Sequence, residues 1–511
     1  MESLLEVKML TAKKEQFDVA IIGGGIVGTA LFSELSRCGV NVVLLEASDD
    51  VSNGSTKANS GIIHSGYDPI PGTLMARFNL EGSKMYPSMC ARLGVTFNQC
   101  GTLTVSNENG RQKLQELLQR GVANGVEGLK IVESEELHAL EPNLVPEVTV
   151  GLFAPTGAIV SPYNVCVALA EEGIVNGGTA YCYFKVNKIK QTNQGFVVYS
   201  ADNYAPLKDI TAKYVVNCAG ANAIEINNLL NITPLPDVSY VKGEYILLDK
   251  SQQGYIRRPI FPLPTKMGKG IVANVTVHGN ILFGPTATPC DKDDTSVSSD
   301  SVSQIMQQVS LTVKKPNFNK TIKLFAGVRA KVGKDFVIQK DDQHPGYYYT
   351  LGICSPGLTS APAIAVYLKE MLVSDGLKTK NIKPKRRKPY VDTTTMTKQE
   401  LDALIKSNPE YGKIVCKCEN VSEGEILDVL HSPLHPTSID AIKRRVRPSM
   451  GRCQGSYCIP KLINILSTQL HIPKEQVTLH GYGSELLTGD IKQYGYYAKK
   501  QINKLIKQSK K

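Results

Sequence analysis

Four cysteines near the end of the chain have the spacing of a ligand set. Cys416-Lys417-Cys418 is followed by 34 intervening residues and then by Cys453-Gln454-Gly455-Ser456-Tyr457-Cys458, so four thiols fall within 43 residues. Thiolates are soft donors that select zinc or iron–sulfur centres. Zinc sites usually separate the cysteines of a pair by two to four residues, and the single residue between Cys416 and Cys418 is tight for that geometry. A [2Fe–2S] cluster, with four sulfurs shared between two irons, fits the spacing better, with zinc as the alternative. Lys417, Lys443, Arg444, Arg445 and Arg452 lie near these cysteines in sequence. Cations beside a cluster raise its potential; the simpler reading is a solvated basic face.

A second constellation opens the chain. Residues 17–46 read FDVAIIGGGIVGTALFSELSRCGVNVVLLE. Asp18–Ile22 is an apolar strand, the spacing of residues 26–38 predicts a helix stopped by Gly39, and Asn41–Leu45 is a second strand ending in Glu46. The βαβ unit has the expected length of about 30 residues. In such a turn Gly23 permits the tight bend, Gly25 lets the backbone approach a pyrophosphate, and Gly28 lets helix and strand touch. The helix N-terminus offers N–H groups to the anion. Glu46 follows Gly25 by 21 residues, the place of an acid that binds a ribose 2′-hydroxyl. Dinucleotide binding is the chemistry these residues predict.

The elements that must position these groups are legible in outline. Tyr214–Gly220 reads as a further core strand whose small last residues abut the same dinucleotide. Between 240 and 350 the pattern shifts to short strands with turns, among them Gly243–Asp249, Gly270–Val277, Asn280–Gly284 and Tyr347–Leu351, which predicts a mixed or antiparallel sheet covering a pocket. Gly352–Pro362 is a glycine- and serine-containing loop leading into an apolar helix, Ala363–Leu372, with N–H groups for a second polar edge of the cofactor. Residues 373–398, including Lys383-Pro384-Lys385-Arg386-Arg387-Lys388-Pro389, read as a basic, proline-containing connector. The tail from 484 reads as helical and ends in lysines.

Composition narrows the class. The chain has 511 residues, 42% hydrophobic and 21% charged, which excludes a mostly disordered polypeptide and suggests more than one domain. The net charge is +11, but without residues 381–390, 441–452 and 496–511 the balance is 42 basic against 47 acidic residues. The excess is therefore local, and a nucleic-acid role is not expected. Twelve cysteines, eight of them scattered singly, fit a reducing compartment better than a disulfide scaffold. A cytoplasmic location is expected, or an equally reducing organelle matrix. No run reaches the ~18 apolar residues of a membrane span, although the lysine-rich tail permits contact with a membrane surface.

Further motifs carry a resemblance. The glycine turn with Glu46 resembles the FAD-binding, D-amino-acid-oxidase-like oxidoreductases. Ser55-Thr56-Lys57-Ala58-Asn59-Ser60-Gly61-Ile62-Ile63-His64-Ser65-Gly66-Tyr67-Asp68, Lys242-Gly243-Glu244-Tyr245, Thr276-Val277-His278-Gly279-Asn280, Phe325-Ala326-Gly327-Val328-Arg329 and Ser355-Pro356-Gly357-Leu358-Thr359-Ser360 resemble the anaerobic-type glycerol-3-phosphate dehydrogenases. Val415–Cys458 is similar to the bacterioferritin-associated-ferredoxin-like [2Fe–2S] domain fused to that flavoprotein body. L-2-hydroxyglutarate oxidases share much of the N-terminal pattern but generally lack the cluster domain.

The resemblance implies an α/β fold: a Rossmann-like FAD-binding domain, a mixed or antiparallel substrate-domain sheet, and a small, mostly helical C-terminal [2Fe–2S] domain. The expected boundaries are an N-terminal extension at 1–16, an oxidoreductase with interleaved subdomains at 17–375, a linker at 376–410, the cluster domain at 411–475 and a basic tail at 476–511. It also implies roles. Gly23, Gly25 and Gly28 would hold the FAD pyrophosphate and Glu46 the adenosine ribose. Ser55, Thr56, Asn59 and Ser60 would line the flavin side, and Val186 would meet adenine through its backbone. Ala219 and Gly220 would lie along the cofactor. Gly357, Leu358 and Thr359 would present N–H groups to the flavin ring. His64 is the expected base, Arg329 the expected grip on an anionic substrate group, and Lys242 and Tyr245 lesser pocket contacts. Cys416, Cys418, Cys453 and Cys458 would hold the cluster. The implied activity is oxidation of sn-glycerol 3-phosphate to dihydroxyacetone phosphate, with electrons leaving through the cluster to a second flavoprotein subunit, a ferredoxin or a quinone-linked protein. A 2-hydroxy acid such as L-2-hydroxyglutarate, or a secondary amine, is the alternative substrate. An electron-carrier or iron-handling module is the reading from another class.

Overall fold

A computed structural model describes residues 16–263, 270–489 and 499. They fall into two compact units that divide between Tyr390 and Val391.

Among the described residues the first unit is built on two large sheets, with a third, small one of three short strands. β1 (Gln16–Ile22) runs into the glycine turn, α1 (Ile26–Ser36) returns over the sheet, and β2 (Val42–Leu45) pairs parallel to β1. On the other side of β1 the strand Asp209–Asn217 pairs parallel, with Ile22 opposite Asn217. Thr179–Tyr181 extends the sheet beyond β2. Asp209–Asn217 splits its outer edge: its first half pairs with an antiparallel hairpin, Val186–Thr192 and Gly195–Ser200, and its second half runs parallel to Tyr347–Leu351. Tyr347–Leu351 therefore belongs to this first sheet, not to the mixed sheet that its sequence neighbours suggest. Its five residues are all buried, as a strand covered on both faces must be. The central strands are continuous apolar runs for the same reason. α1 packs between the helices Pro162–Val175 and Gly357–Ser374.

The second sheet has nine strands among the described residues. Its longest pair is antiparallel, Val238–Leu248 against Thr321–Val332, with Gly243 opposite Gly327 and Tyr245 opposite Phe325. The shorter strands Ala273–Val275 and Ile281–Phe283 fill the middle, and Thr102–Ser106 and Val150–Ala154 complete one flank. Each sheet has its own apolar core.

The stretch 376–410 does not form one connector. Residues up to Tyr390 are a strap bound to the first unit, while the second unit begins at Val391 and includes the helix Lys398–Ser407, which opens on a Thr397–Glu400 capping box. Arg387, in the middle of the basic run, is buried. Its Nε donates to Glu171 at 2.6 Å, its Nη1 to the Leu93 carbonyl at 3.0 Å, and the Tyr390 hydroxyl donates to the same carboxylate. Removing one partner of a buried ion pair strands the other charge. Arg387→Met is expected to cost about 3–5 kcal/mol of stability, read as a lowered unfolding temperature. Arg386→Met, at an exposed position, is expected to leave it unchanged.

The second unit is small and mostly helical: a two-strand hairpin, Ile414–Cys416 with Val421–Ser422, then helices Glu423–Leu430, Ile439–Val446 and Ile459–Leu470. Residues 476–489 fold back onto it, with the amide of Ile439 donating to Thr478 O and that of Asp440 to Leu479 O. The extension 1–15 and the lysine-rich end of the tail lie outside the described residues. Among the described residues no helix is long and apolar enough to cross a membrane.

Candidate active site

A cavity of about 740 Å³ in the first unit is lined by Gly23–Val27, Glu46–Ser48, Asn53–Thr56, Ala58–Ser60, His64, Tyr67, Cys218–Asn222, Tyr245, Phe261, Thr286, Arg329 and Gly352–Leu358, among others. Its volume is that of a cofactor or ligand site.

The glycine turn forms one wall. Gly23 has φ +109°, and a Cβ on Gly28 would lie 2.0 Å from the Gly23 carbonyl oxygen, so neither position accepts a side chain. At Gly25 the nearest atom to such a Cβ is Thr56 Oγ1 at 3.4 Å; the room left by the missing side chain belongs to the cavity. Gly25 is the N-cap of α1 and supplies no side chain to its first N–H groups. An uncapped helix N-terminus behind a glycine turn is chemically suited to an anion such as a pyrophosphate. Glu46 accepts the Gly24 amide at 2.7 Å and the Ser48 amide at 2.8 Å. Burial pushes its carboxyl above its ordinary value, against the pull of those two donors. Gly24, which the motif reading left without a role, is thus held to the acid directly.

The segment after residue 53 forms the next wall. Thr56 Oγ1 accepts the Ile26 amide at 3.0 Å, Ser55 Oγ donates to the Val328 carbonyl at 2.6 Å, and Asn59 bonds Thr56 O and the Gly61 amide, each at 2.8 Å. Ser60 Oγ lies 3.4 Å from the Tyr245 hydroxyl. Ala219, whose amide is fixed by Asn217 Oδ1 at 3.0 Å, and Gly220 line the side. A second helix N-terminus, that of Gly357–Ser374, also faces the cavity without a capping side chain.

His64 is fixed by its backbone. Its amide donates to Thr359 Oγ1 and its carbonyl accepts from Asn79 Nδ2, both at 3.0 Å. Its Nε2 lies 3.4 Å from Ser355 Oγ, and its ring is 5.8 Å from that of Phe261, centroid to centroid. Burial drives its pKa below the ordinary 6.5, with the Asp68 charge opposing this. The imidazole is therefore neutral at neutral pH and able to accept a proton. Arg329 is held by backbone carbonyls, with Nη2 2.7 Å from Thr286 O and Nε 3.5 Å from Val241 O.

Four of the expected residues do not line the cavity. Gly28 and Thr359 act through Gly23 and His64. Val186 lies in the core beneath the first sheet. Lys242 is on the opposite face of its strand from Tyr245, because residues three apart on a strand alternate sides; its Nζ bonds Asp294 at 2.8 Å and Ser296 at 3.1 Å. Conversely, Ser355, Tyr67, Phe261, Thr286 and Lys331 line the cavity and had no assigned role. Ser355, Tyr67 and Phe261 were visible only as members of motifs or of the strand-rich segment, since nothing local says which face they take.

In the second unit the four thiols stand as two neighbouring pairs, Cys416 with Cys458 and Cys418 with Cys453. Cys416 receives the Cys458 thiol and the amides of Glu419, Ser449 and Cys418, and this pulls it down to about 6. Cys453 is lowered by the amides of Tyr457 and Gly455 and by the Cys418 thiol. Gly451 makes the close approach possible: a Cβ there would lie 2.3 Å from that of Cys418. Two thiol pairs wrapped in N–H donors are a donor set for a two-iron cluster, and N–H bonds to sulfur are among the factors that set such a cluster's potential. Among the described residues no three ligating side chains are already gathered at metal-binding distances. Arg444 and Arg445 are buried, so these two do not belong to a solvated basic face.

Residues 18–371 match the family described as FAD dependent oxidoreductase. The chain belongs to this family. Residues 414–468 match the BFD-like [2Fe-2S] binding domain. The glycerol 3-phosphate dehydrogenase of Caloramator mitchellensis is 37% identical over 483 residues, covering 93% of this chain and 99% of its own. The glycerol 3-phosphate oxidase of Mycoplasma genitalium is 32% identical over 373 residues, covering 70% of this chain and 95% of its own. The solved, FAD-bound L-alpha-glycerophosphate oxidase of Mycoplasma pneumoniae superposes with TM-score 0.67 at 30% identity, over 73% of this chain and 97% of its own. The protein is an FAD-dependent oxidoreductase, similar to glycerol-3-phosphate dehydrogenases, with FAD and a [2Fe–2S] cluster as its cofactors.

Proposed function

We propose that the chain oxidises sn-glycerol 3-phosphate to dihydroxyacetone phosphate and that the electrons leave through the cluster to an external acceptor. The observation that carries the reading is a half-buried His64 and an Arg329 guanidinium on the wall of the same cavity as the glycine turn. The near end-to-end likeness to a glycerol 3-phosphate dehydrogenase, cluster domain included, supports the substrate.

In this reading Gly23–Val27 and Glu46 take the pyrophosphate and ribose of FAD. Ser55, Thr56, Asn59, Ser60, Ala219, Gly220, Gly357 and Leu358 border the rest of the cofactor, with Thr359 fixing His64 behind them. A bound FAD supplies the two-electron acceptor, and a bound cluster a one-electron exit. Arg329 holds the substrate phosphate by charge-assisted N–H bonds, which places the carbinol toward His64. His64 takes the hydroxyl proton as the secondary alcohol becomes a ketone.

Arg329 depends on what fixes Thr286. Glu244 is fully buried; it accepts the Thr286 hydroxyl at 3.0 Å, the Ser298 amide at 2.9 Å and the Ser301 hydroxyl, while Thr286 Oγ1 accepts the Glu244 amide at 3.0 Å. Glu244 is a positioning residue for Arg329. Glu244→Gln is expected to raise KM for glycerol 3-phosphate roughly tenfold, the worth of about 1–2 kcal/mol of lost hydrogen bonding, with kcat nearly kept. An equal loss in kcat would mean general damage to the fold.

The deciding experiment is anaerobic. The purified holoenzyme is mixed with glycerol 3-phosphate or with L-2-hydroxyglutarate, and the visible spectrum is followed. Bleaching of the flavin with glycerol 3-phosphate alone, followed by a reduced-cluster EPR signal, is the expected result. Bleaching with L-2-hydroxyglutarate alone overturns the substrate and keeps the family.

A further inference from the structure

The two ligand loops of the second unit present a charged surface of one sign. Cys416 and Cys458 are buried, whereas Cys418 and Cys453 are partly exposed, so one edge of the site reaches the surface. The side chains around that edge come from positions beside the ligands. Lys417 lies between Cys416 and Cys418, Arg452 precedes Cys453, and Tyr457 precedes Cys458. Lys417, Arg452 and Tyr457 are exposed. Tyr457 is 41% exposed, and its ring is flanked by Lys417 Nζ and Lys461 Nζ, each 4.8 Å from its centroid. Lys461 also donates to the Ile414 carbonyl at 3.0 Å. These contacts hold two lysines in place on an aromatic face. Glu419 is the sole acid in 414–422 and 449–461; it is buried and accepts from Arg447 at 3.1 Å.

We propose that this surface, Lys417, Arg452, Tyr457 and Lys461, is the docking site for an acidic one-electron carrier protein. The inference rests on the reading of this unit as the electron exit, and it adds where the carrier binds and what charge it bears. A cluster on four thiolates is negative and would by itself repel an acidic carrier. Three rim cations offset that charge and reverse the sign of the presented face. Complementary charge speeds encounter and selects the partner. The tyrosine ring gives the contact an amphipathic centre of the kind enriched at interfaces.

The test is binding of holoenzyme to two probes, flavodoxin as an acidic carrier and cytochrome c as a basic one, titrated at low and high salt. Flavodoxin is expected to bind, and to bind about tenfold more weakly when salt rises past the point where screening falls below ~10 Å. The triple variant Lys417→Gln, Arg452→Gln, Lys461→Gln is expected to bind it about tenfold more weakly, with iron content, visible spectrum and substrate bleaching of the flavin unchanged. If the triple variant loses iron, Arg452→Gln alone and the wild-type salt titration decide in its place, with weaker binding expected in both. Binding indifferent to these charges, binding of cytochrome c in preference, or no flavodoxin binding at low salt overturns the proposal. So does binding of phosphatidylglycerol vesicles through these same side chains without flavodoxin binding. Charge-dependent flavodoxin binding in an enzyme that glycerol 3-phosphate fails to reduce supports the docking surface and removes the substrate reading.

Discussion

Replacing His64 with Gln is expected to lower the rate of flavin bleaching by glycerol 3-phosphate about 10²–10⁴-fold, the usual worth of a positioned proton acceptor. The substitution keeps a polar side chain of similar reach. The backbone bonds from the His64 amide to Thr359 and from Asn79 to the His64 carbonyl do not involve the side chain, so the loop should stay in place. Bound FAD and the affinity for substrate are expected to change little, and stopped-flow bleaching at saturating substrate isolates the effect. The pH profile gives a second reading. Burial lowers the pKa of His64 below 6.5, and only the neutral imidazole can accept a proton. The wild-type rate should be level near and above neutral pH and fall on the acid side, with a midpoint below 6.5. In the Gln variant that acid limb should vanish. A variant that keeps the wild-type rate would make His64 a packing residue.

The glycine turn and the acid at the end of β2 were legible because they are local. Gly23, Gly25, Gly28 and Glu46 sit within one βαβ unit, and the φ of +109° at Gly23 and the contact of Gly28 with Gly23 are made inside that unit. The strand through Tyr214–Asn217 was legible from its apolar run, and its small last residues do line the cavity. The sorting of strands between sheets was not. Tyr347–Leu351 reads like its neighbours, but it pairs with Val215–Asn217, more than 130 positions earlier, and no local signal marks that choice. Arg387 failed for the same reason. Its partner Glu171 is 216 residues away, and a basic run between prolines looks solvated until that partner is in place. Lys242 is a different case. The period of two along a strand already separates it from Tyr245, so one of the pair had to leave the pocket. Its partners Asp294 and Ser296 sit on a loop within the strand-rich segment, where sequence gives no register.

The second large effect lies in the cluster domain. Cys416→Ala is expected to abolish the [2Fe–2S] cluster while leaving the reduction of flavin by glycerol 3-phosphate within about twofold of wild type. Cys416 and Cys458 form the buried pair, at 1% and 0% exposure, and Cys416 collects three backbone N–H groups as well as its partner's thiol. Alanine removes the sulfur that these donors surround, and no other cysteine of the unit is placed to replace it, since Cys418 and Cys453 are already engaged with each other. A two-iron cluster held by three thiolates is not a closed site. The measurements are iron and sulfide per chain, expected to fall from about two each to near zero, and transfer of electrons to a protein carrier, expected to stop. The first unit has its own sheets, cores and cavity, and none of its described active-site bonds reaches beyond Tyr390. Substrate oxidation and electron exit should therefore separate cleanly in this variant. If flavin bleaching is lost together with the iron, the cluster domain is needed for the chemistry of the first unit, and the division of labour between a two-electron site and a one-electron exit fails.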